Sequence, residues 1–458
     1  MRKKIDVFIY ILLFIFLFSF VFRATNLFQN DFWLDESFSF FYGKESLEFI
    51  TTHDTHPPLF YMITGFFPQT PLVRFFPLML GVLSLFIVLL ILDELNIAKK
   101  IKLWALFFCA INGYLVKYSQ EYRMYTLVLF FSLLSFYFLL RIYNKEAGIG
   151  KLFYPIAFIM VTYLALLSHY SAFMLIPFQL TFLILNKKDT KKLMILYGIL
   201  FIIYIPQFIN MYYQFINLQA SSLFVFDRNM FTIRYFLFPF SGVVILAVTM
   251  FNFFINKKNN LSLNIEDKLF YSALVPFILL YLTTFLEAGL LQPRYNFIFI
   301  PYFMIFIART NFNKYKIINM LVITIMLLNT HVQFQEERSL EVYTLYGHIT
   351  REALSKENIP TTVLHESVFS YYTWKFYDTE HKYKNYIVLN SSTNKTEWLQ
   401  THQTVGASLL NENDLILTNE ILNGSYLYLN DEQNKLDIST FSLILRNESG
   451  IRLENIYG

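Results

Sequence analysis

The sequence predicts an all-α polytopic membrane bundle of about eleven transmembrane helices, followed by a small C-terminal α/β domain. Of the 458 residues, 55% are hydrophobic, 19% aromatic and only 15% charged, a balance typical of polytopic membrane proteins. Apolar runs recur up to residue 330 and polar residues dominate after it, which predicts a membrane domain over 1–330 and a second domain over 331–458. The lone cysteine, Cys109, excludes an intrachain disulfide and a multi-cysteine metal site.

The first apolar span runs from Ile5 to Phe22, with Asp6 as its single charge and three basic residues before it. A helix of this length covers roughly 27 Å, enough to cross the hydrocarbon core. The run is long and no small-residue cleavage site follows it, so we expect an uncleaved helix with a cytoplasmic N-terminus.

Ten further spans follow, some of them shorter than the usual 20 or so residues. Each predicted inner segment carries at least three Lys or Arg residues, in agreement with the positive-inside rule. An odd number of spans places the first loop and the C-terminal region on the same, extracytoplasmic, side. We expect a bacterial cell membrane. The spans are Leu72–Leu92, Ile101–Val116, Tyr125–Leu140, Leu152–Leu167, Ser171–Leu185, Leu193–Gln207, Phe231–Phe254, Leu269–Leu286, Tyr295–Ile307 and Ile317–Leu328.

The first outer loop, 23–70, concentrates ionisable residues, including the adjacent Asp35 and Glu36 and then Asp54 and His56. Carboxylates and histidines at the mouth of membrane helices are suited to acid/base or cation chemistry. Two structural alternatives remain open. Asp35 and Glu36 could be helix-start acids, because SFSFFYGKESLEFI after them predicts a short amphipathic helix. His56 could only mark extended backbone before two prolines.

Cations at the outer ends of the helices are the second feature. Arg123 lies beside Glu121 in YSQEYRMY, and Arg294 lies in LLQPRYNF; Lys117 and His169 share their level. Side chains of this kind often snorkel to the headgroups, and a histidine in a tight turn is often a buried hydrogen-bonding group. Their origin from separate helices nevertheless predicts a shared polar cavity. The eight outer cations are Arg23, Lys44, Arg74, Lys117, Arg123, Arg228, Arg234 and Arg294.

An acid beside cations at the outer face suits transfer of a group from a lipid phosphate to a hydroxyl. The carboxylate takes the acceptor proton, while Arg and Lys compensate the charge of the departing phosphate. In an inverting sugar transfer the base faces the side of the anomeric carbon opposite the leaving group. Asp35 is the candidate base.

Five segments resemble a known family: WLDES, THPPLFY, YSQEYRMY, LLSHYS and QPRYNFIFIPYF, in matching order over Ile5 to Ala308. They are similar to the membrane glycosyltransferases of the GT-C fold, in particular the protein O-mannosyltransferases and lipid A aminoarabinose transferases. The resemblance implies a polyprenyl-phosphate sugar as donor, an active site in the first outer loop and an inverting transfer to a hydroxyl of a lipid, glycan or protein.

The resemblance also assigns residues. The family's acidic motif falls on Asp35 and Glu36, the first as base or metal-linked acid, and its His-Pro-Pro motif on His56. Its two arginines fall on Arg123 and Arg294 as phosphate contacts. No large domain is inserted between the helices, so a protein acceptor is not specifically implied. A divalent cation such as Mg²⁺ or Mn²⁺ could bind Asp35, Glu36, Asp54 and His56, or the site could act without one.

Two other functions remain open. A transporter or flippase for a lipid-linked glycan would use the same charges to guide a headgroup, but the sequence lacks two clear repeat halves and midplane charges. A membrane scaffold with an external binding domain leaves Arg123 and Arg294 without an evident purpose.

The region after His331 predicts a small α/β fold whose role is acceptor recognition or closure of the cavity. Glu336–Lys356 has the pattern of an amphipathic helix, and the aromatic run VFSYYTWKFY predicts a second helix. Five strands are predicted at Thr362–Leu364, Tyr386–Leu389, Leu415–Leu417, Tyr426–Leu429 and Phe441–Leu445.

Overall fold

The computed structural model describes residues 7–25, 27–28, 31–144, 150–220, 263–283, 293–309, 361–365, 368–389, 392–401, 409–417, 426–429, 442–447 and 450–455, with single residues 324, 350 and 354. The chain divides into two compact units. The membrane unit comprises Met1–Leu27, Arg74–Ile209 and Val225–Glu336; the loop unit comprises Phe28–Val73, Asn210–Phe224 and Glu337–Gly458. From residue 28 to residue 70, the predicted first outer loop therefore belongs to the same unit as the residues after 336, while the division at residue 330 stays a prediction.

Helices form the described part of the membrane unit. Val7–Ala24, Pro71–Glu94, Tyr125–Asn144 and Lys191–Gln214 are long and apolar enough to cross a membrane. The helices are α1 (Val7–Ala24), α5 (Phe75–Glu94), α6 (Lys99–Ile111), α7 (Gly113–Lys117), α8 (Tyr125–Asn144), α9 (Gly150–Ser168), α10 (Leu175–Leu185), α11 (Lys191–Ala220, which continues into the loop unit), α12 (Ile265–Thr283), α13 (Pro293–Asn296) and α14 (Ile300–Ala308), with 3₁₀ turns at Pro71–Arg74, Tyr170–Met174 and Phe297–Phe299.

Nine of the eleven predicted spans fall on these helices. Phe231–Phe254 and, apart from residue 324, Ile317–Leu328 lie outside the described residues, so the total of eleven stays a prediction. The predicted span Ile101–Val116 is broken at Asn112, whose backbone is extended and whose side chain accepts from the Leu115 N–H at 3.2 Å. An asparagine that caps a new helix ends the preceding one, which explains the break.

Helix α14 lies at the centre of the membrane unit. All nine of its residues are buried, and it packs against α6 and α12. Its Phe306 ring stacks on Phe270 of α12 with centroids 4.4 Å apart. A helix that is apolar on every face is stable only when neighbours surround it, which accounts for this central position.

A buried hydrogen-bond network joins helices α8 to α11. The hydroxyls of Ser135 and Thr162 lie 2.7 Å apart, the Gln179 amide donates to Ser135 at 3.0 Å, and Tyr197 donates to Gln179 at 2.9 Å. Polar groups in an apolar interior need such partners, so the network fixes the packing of these four helices.

The loop unit combines short helices with a six-stranded sheet. Strands β1, β2, β3 and β4 are parallel neighbours in the order β3-β2-β1-β4, and β5 and β6 continue the sheet antiparallel. The elements are α2 (Leu34–Tyr42), α3 (Leu47–His53), α4 (Leu59–Thr64), α15 (Val368–Tyr377), α16 (Lys395–Thr401), β1 (Thr362–His365), β2 (Lys384–Leu389), β3 (Leu415–Leu417), β4 (Tyr426–Leu429), β5 (Ser442–Asn447) and β6 (Gly450–Asn455).

Strands occur at all five predicted positions, and the helix predicted from VFSYYTWKFY spans Val368–Tyr377. Strand β6 was not predicted, because its alternation rests on only two apolar residues, Ile451 and Leu453. The predicted helix Glu336–Lys356 lies outside the described residues, apart from single positions.

The core of the loop unit includes a residue of the first loop. Leu34 of α2 is buried in one cluster with residues of α15, of the sheet and of the segment before β3, which are Val368, Tyr371, Tyr372, Ile387, Leu389, Leu410 and Leu415. Helix α2 is therefore part of the same hydrophobic core as the C-terminal residues.

His365, at the end of β1, makes the stability of this unit depend on pH. Its ring is fully buried, with Nδ1 3.2 Å from the Ser370 hydroxyl and Nε2 3.2 Å from Asn385 Oδ1. Burial lowers the pKa of His365 to about 3, although the hydrogen bond with Asn385 opposes the shift. Below pH 6.5 the unfolded chain therefore binds a proton that the folded chain excludes.

We expect the free energy of unfolding of this unit to fall by about 1.4 kcal/mol per pH unit as the pH drops below about 6.5 toward 3. Hydrogen exchange of the β1 and β2 amides, corrected for the intrinsic rates, measures it. His365→Gln removes the titrating ring and should flatten this dependence. An equal slope in wild type and variant would contradict the assignment.

Candidate active site

The two adjacent acids of the first loop occupy the first turn of α2. Glu36 is fully buried, and its Oε2 accepts from the Trp33 backbone N–H at 3.4 Å, as in a capping box. Asp35 is half-buried. The predicted amphipathic helix thus begins earlier, at Leu34, and breaks at Gly43 into α2 and α3. Glu36 serves the helix start, while Asp35 keeps partial exposure at the positive end of the helix dipole.

The far end of α2 is fixed against α4. Gly43 and Gly65 touch so closely that a Cβ on Gly65 would lie 2.1 Å from the Gly43 carbonyl oxygen. The Lys44 ammonium donates to the carbonyls of Gly65 and Phe67 at 2.8 and 2.9 Å. Lys44, one of the eight outer cations, therefore has a structural task.

Asp54 and His56 form a pair between α3 and α4. Nδ1 of His56 lies 3.5 Å from an Asp54 carboxylate oxygen, and both side chains are largely buried. The Gln214 side chain of α11 donates to the carbonyls of Thr51 and His56 at 3.1 and 3.5 Å. The histidine of the THPPLFY segment is thus held at both its ring and its backbone.

Asp35, Glu36, Asp54 and His56 are the candidate ligands of a divalent cation, with a site that acts without metal as the alternative. Among the described residues, no group of three or more His, Cys, Asp or Glu side chains is placed to hold a metal ion. Asp54 and His56 bring two donor groups together, and Mg²⁺ is commonly held by one or two carboxylates with waters and substrate phosphates as its other ligands. The described residues therefore form no complete ligand set by themselves, and a divalent cation stays a prediction.

The Arg123 segment lies between α7 and α8 in the membrane unit. Arg123 is 4% exposed, and its backbone N–H donates to the Glu121 carbonyl at 2.8 Å. Lys117 Nζ, at the end of α7, lies 3.9 Å from Glu121 Oε1, four residues further along the chain. Three of the predicted site residues are therefore neighbours at the start of one membrane helix.

An aromatic cluster joins this segment to two others. The His169 ring lies 6.0 Å from Tyr125 and 5.2 Å from Tyr295, and Phe297 contacts both Tyr118 and Tyr125. His169 is buried, and its Nδ1 accepts from the Ser171 N–H at 3.1 Å, capping the 3₁₀ turn at Tyr170–Met174. The segments with Arg123, His169 and Tyr295 are therefore neighbours, while the shared polar cavity stays a prediction. Arg294 lies in α13, and its side chain is outside the described residues.

Arg23 connects α1 to the end of α6 and to Gln120 of the Arg123 segment. The sequence did not indicate this role. Its guanidinium is buried and donates to Ser19, to the Ala110 carbonyl at 3.1 Å and to the Cys109 carbonyl at 3.2 Å. In return the Gln120 side chain donates to the carbonyls of Arg23 and Thr25, both at 2.8 Å.

Helix α5 packs tightly against Arg23 and Ser119 at this contact. A Cβ on Gly81 of α5 would lie 2.7 Å from the Ser119 Cβ and 3.4 Å from Arg23 Nε. Arg74 likewise serves the backbone, donating to the Leu27 carbonyl at 3.0 Å. The only sequence signal for Arg23 was a charge in the last turn of an apolar helix, which snorkelling explains equally well.

Arg23→Met should destabilise the protein by about 1–3 kcal/mol, because the carbonyls of Cys109 and Ala110 lose their charged donor in an apolar interior. Denaturant titration of the purified protein measures the loss. Lys100→Met, which removes an exposed cation, is the matched control. Equal stability of the two variants would contradict the role assigned to Arg23.

The architecture is the GT-C fold of membrane glycosyltransferases, so the predicted resemblance is confirmed for the fold. Among solved structures, the chain is similar to ArnT from Cupriavidus metallidurans bound to undecaprenyl phosphate, with a TM-score of 0.57 and 10% identity over 98% of each chain. The apolar helices and this fold are those of an integral membrane protein. No family model matches the sequence, and no curated protein matches it.

Two archaeal structures match with lower TM-scores. The apo oligosaccharyltransferase of Archaeoglobus fulgidus has a TM-score of 0.47 and 13% identity over 81% of this chain, which spans 63% of that protein's length. AglB from the same archaeon, in complex with an inhibitory peptide and a dolichol-phosphate, has a TM-score of 0.45 and 13% identity over 82% of this chain and 64% of its own.

Proposed function

We propose that the protein is an inverting glycosyltransferase that moves a sugar from a polyprenyl-phosphate donor to a hydroxyl acceptor on the extracytoplasmic face of a bacterial membrane. The proposal rests on the GT-C fold and on two residues, each described within its own unit: a partly exposed Asp35 at a helix start and a buried Arg123 in the turn before a membrane helix. The ArnT structure, which contains undecaprenyl phosphate, supports the choice of donor class.

The proposed reaction needs one base and compensation of phosphate charge. The Asp35 carboxylate takes the proton of the acceptor hydroxyl, whose oxygen attacks the anomeric carbon opposite the phosphate. The bond between the anomeric carbon and the phosphate oxygen breaks, and its electron pair leaves with polyprenyl phosphate. Arg123, Lys117 and Arg294 stabilise the departing anion, because charge-assisted contacts strengthen as that charge develops.

The other polar residues take supporting roles in this proposal. Glu121 holds Lys117 near its own segment, Asp54 and His56 fix the loop between α3 and α4, and His169 fixes the turn beside Tyr295. The fold specifies neither the sugar nor the acceptor. A lipid, a glycan and a protein hydroxyl therefore all belong in the acceptor test.

Incubating the purified protein with radiolabelled polyprenyl-phosphate sugars and a membrane extract tests the proposal. We expect label to move from one donor to an acceptor, and treatment with a chelator tests the divalent cation in the same reactions. Label that crosses a liposome bilayer while still attached to its donor would identify a transporter instead. If label is neither transferred nor moved across the bilayer with any donor, both functions are contradicted.

A further inference from the structure

The residues at the start of α2 pack on helix α15 of the C-terminal region. The Phe32 ring stacks on Phe376 with centroids 4.2 Å apart and planes within 9°. Phe40 packs edge-on against the same ring at 5.5 Å, and Phe38 packs against Tyr372 at 5.0 Å. Several side chains of the loop therefore rest on one helix more than 300 residues further along the chain.

The Tyr377 hydroxyl makes two hydrogen bonds at this contact. It accepts from the Phe32 backbone N–H at 2.9 Å and donates to Asp31 Oδ1 at 3.1 Å. Phe32 is fully buried and Asp31 is 6% exposed, so neither bond competes freely with water. Both bonded groups directly precede the helix that carries Asp35 in its first turn.

The other end of the loop holds the same end of α15. The Gln69 side chain donates to the carbonyls of Lys375 and Phe376 at 2.9 and 2.7 Å. Carbonyls in the last turn of a helix lack intrahelical donors, so this amide supplies what the helix end needs. The loop and α15 are thus joined before α2 and after α4.

We propose that Tyr377 is a positioning residue for Asp35. Its hydroxyl fixes residues 31 and 32, which set where α2 begins and hence where the Asp35 carboxylate lies. This inference rests on the proposed function and gives the C-terminal region a part in the reaction that neither acceptor recognition nor closure of a cavity requires. A displacement of a base by about 1 Å is enough to slow a reaction about 100-fold.

Tyr377→Phe is the test, because it removes the hydroxyl and keeps the ring. We expect kcat to fall about 10-fold or more while the KM for the donor changes less than about 2-fold, since the base and not the donor site is disturbed. Gln69→Leu, on the opposite arm of the loop, should lower kcat in the same sense. Tyr383→Phe is the matched control, because Tyr383 packs on Trp374 of α15, whereas the hydrogen bonds to Asp31 and Phe32 are made by Tyr377.

A second readout does not depend on activity. Hydrogen exchange at the Phe32 amide should accelerate about 10-fold or more in Tyr377→Phe, since this amide loses its acceptor, and should stay unchanged in Tyr383→Phe. An unchanged kcat in Tyr377→Phe with an active wild type, or equal losses in kcat and in donor affinity, overturns the positioning role and leaves the proposed function standing. If the wild type is inactive while Phe32 exchange is faster in Tyr377→Phe, the proposed function and the positioning role are both overturned. The hydrogen bond between Tyr377 and Phe32 would still be supported.

Discussion

Asp35→Asn is expected to lower kcat by about 10³-fold, within the range that a general base contributes. The amide has nearly the size of the carboxylate but cannot take the acceptor proton. Asp35 is half-buried, and Glu36, not Asp35, accepts from the backbone N–H of Trp33. The substitution should therefore spare the helix and affect the chemistry.

Glu48→Gln is the control for this experiment. Glu48 is an exposed acid in the first turn of α3, in the same loop, and its neutralisation changes the net charge by the same amount. Steady-state transfer by both variants, with their melting temperatures, measures the effect. A kcat of Asp35→Asn within about threefold of that of Glu48→Gln would remove Asp35 as the base.

Arg123→Gln is expected to lower kcat/KM for the donor by about 10²-fold or more, as loss of a group that stabilises a developing anion does. Arg123 is buried in the turn before α8, beside Lys117 and Glu121. A neutral side chain there removes one charge that would otherwise face the phosphate.

Arg123→Lys separates charge from geometry. Lysine keeps the charge but not the planar fork that binds two phosphate oxygens, so its kcat/KM should fall between those of wild type and Arg123→Gln. Titration with undecaprenyl phosphate as a product inhibitor gives the affinity directly. Equal inhibition of wild type and Arg123→Gln would show that Arg123 does not contact the phosphate.

Local patterns in the sequence were sufficient for much of the fold. Nine of the predicted apolar spans fall on helices of the described chain, and alternation predicted β1 to β5, because each signal lies within a few consecutive residues. Breaks within the spans were missed. The end of α6 at Asn112 depends on one side chain that caps the next helix, which a hydropathy pattern does not record.

Charges in the sequence identified the candidate site residues, whose roles stay predictions, but could not predict how these residues are arranged. Asp35 and Arg123 were found from their charge in apolar surroundings. The capping bond of Glu36 and the carbonyl contacts of Arg23 were not, since both depend on backbone groups that become neighbours only in the fold. The bond between Tyr377 and Asp31 joins residues 346 positions apart, beyond the reach of any local pattern.

Inverting sugar transfer is tested by measuring polyprenyl phosphate released and sugar incorporated in the same reaction, with the purified wild-type protein in lipid. The proposed transfer requires one molecule of polyprenyl phosphate for each sugar moved, with the anomeric configuration inverted in the product. Release of polyprenyl phosphate without incorporation of sugar, or a product with retained configuration, would contradict an inverting sugar transfer.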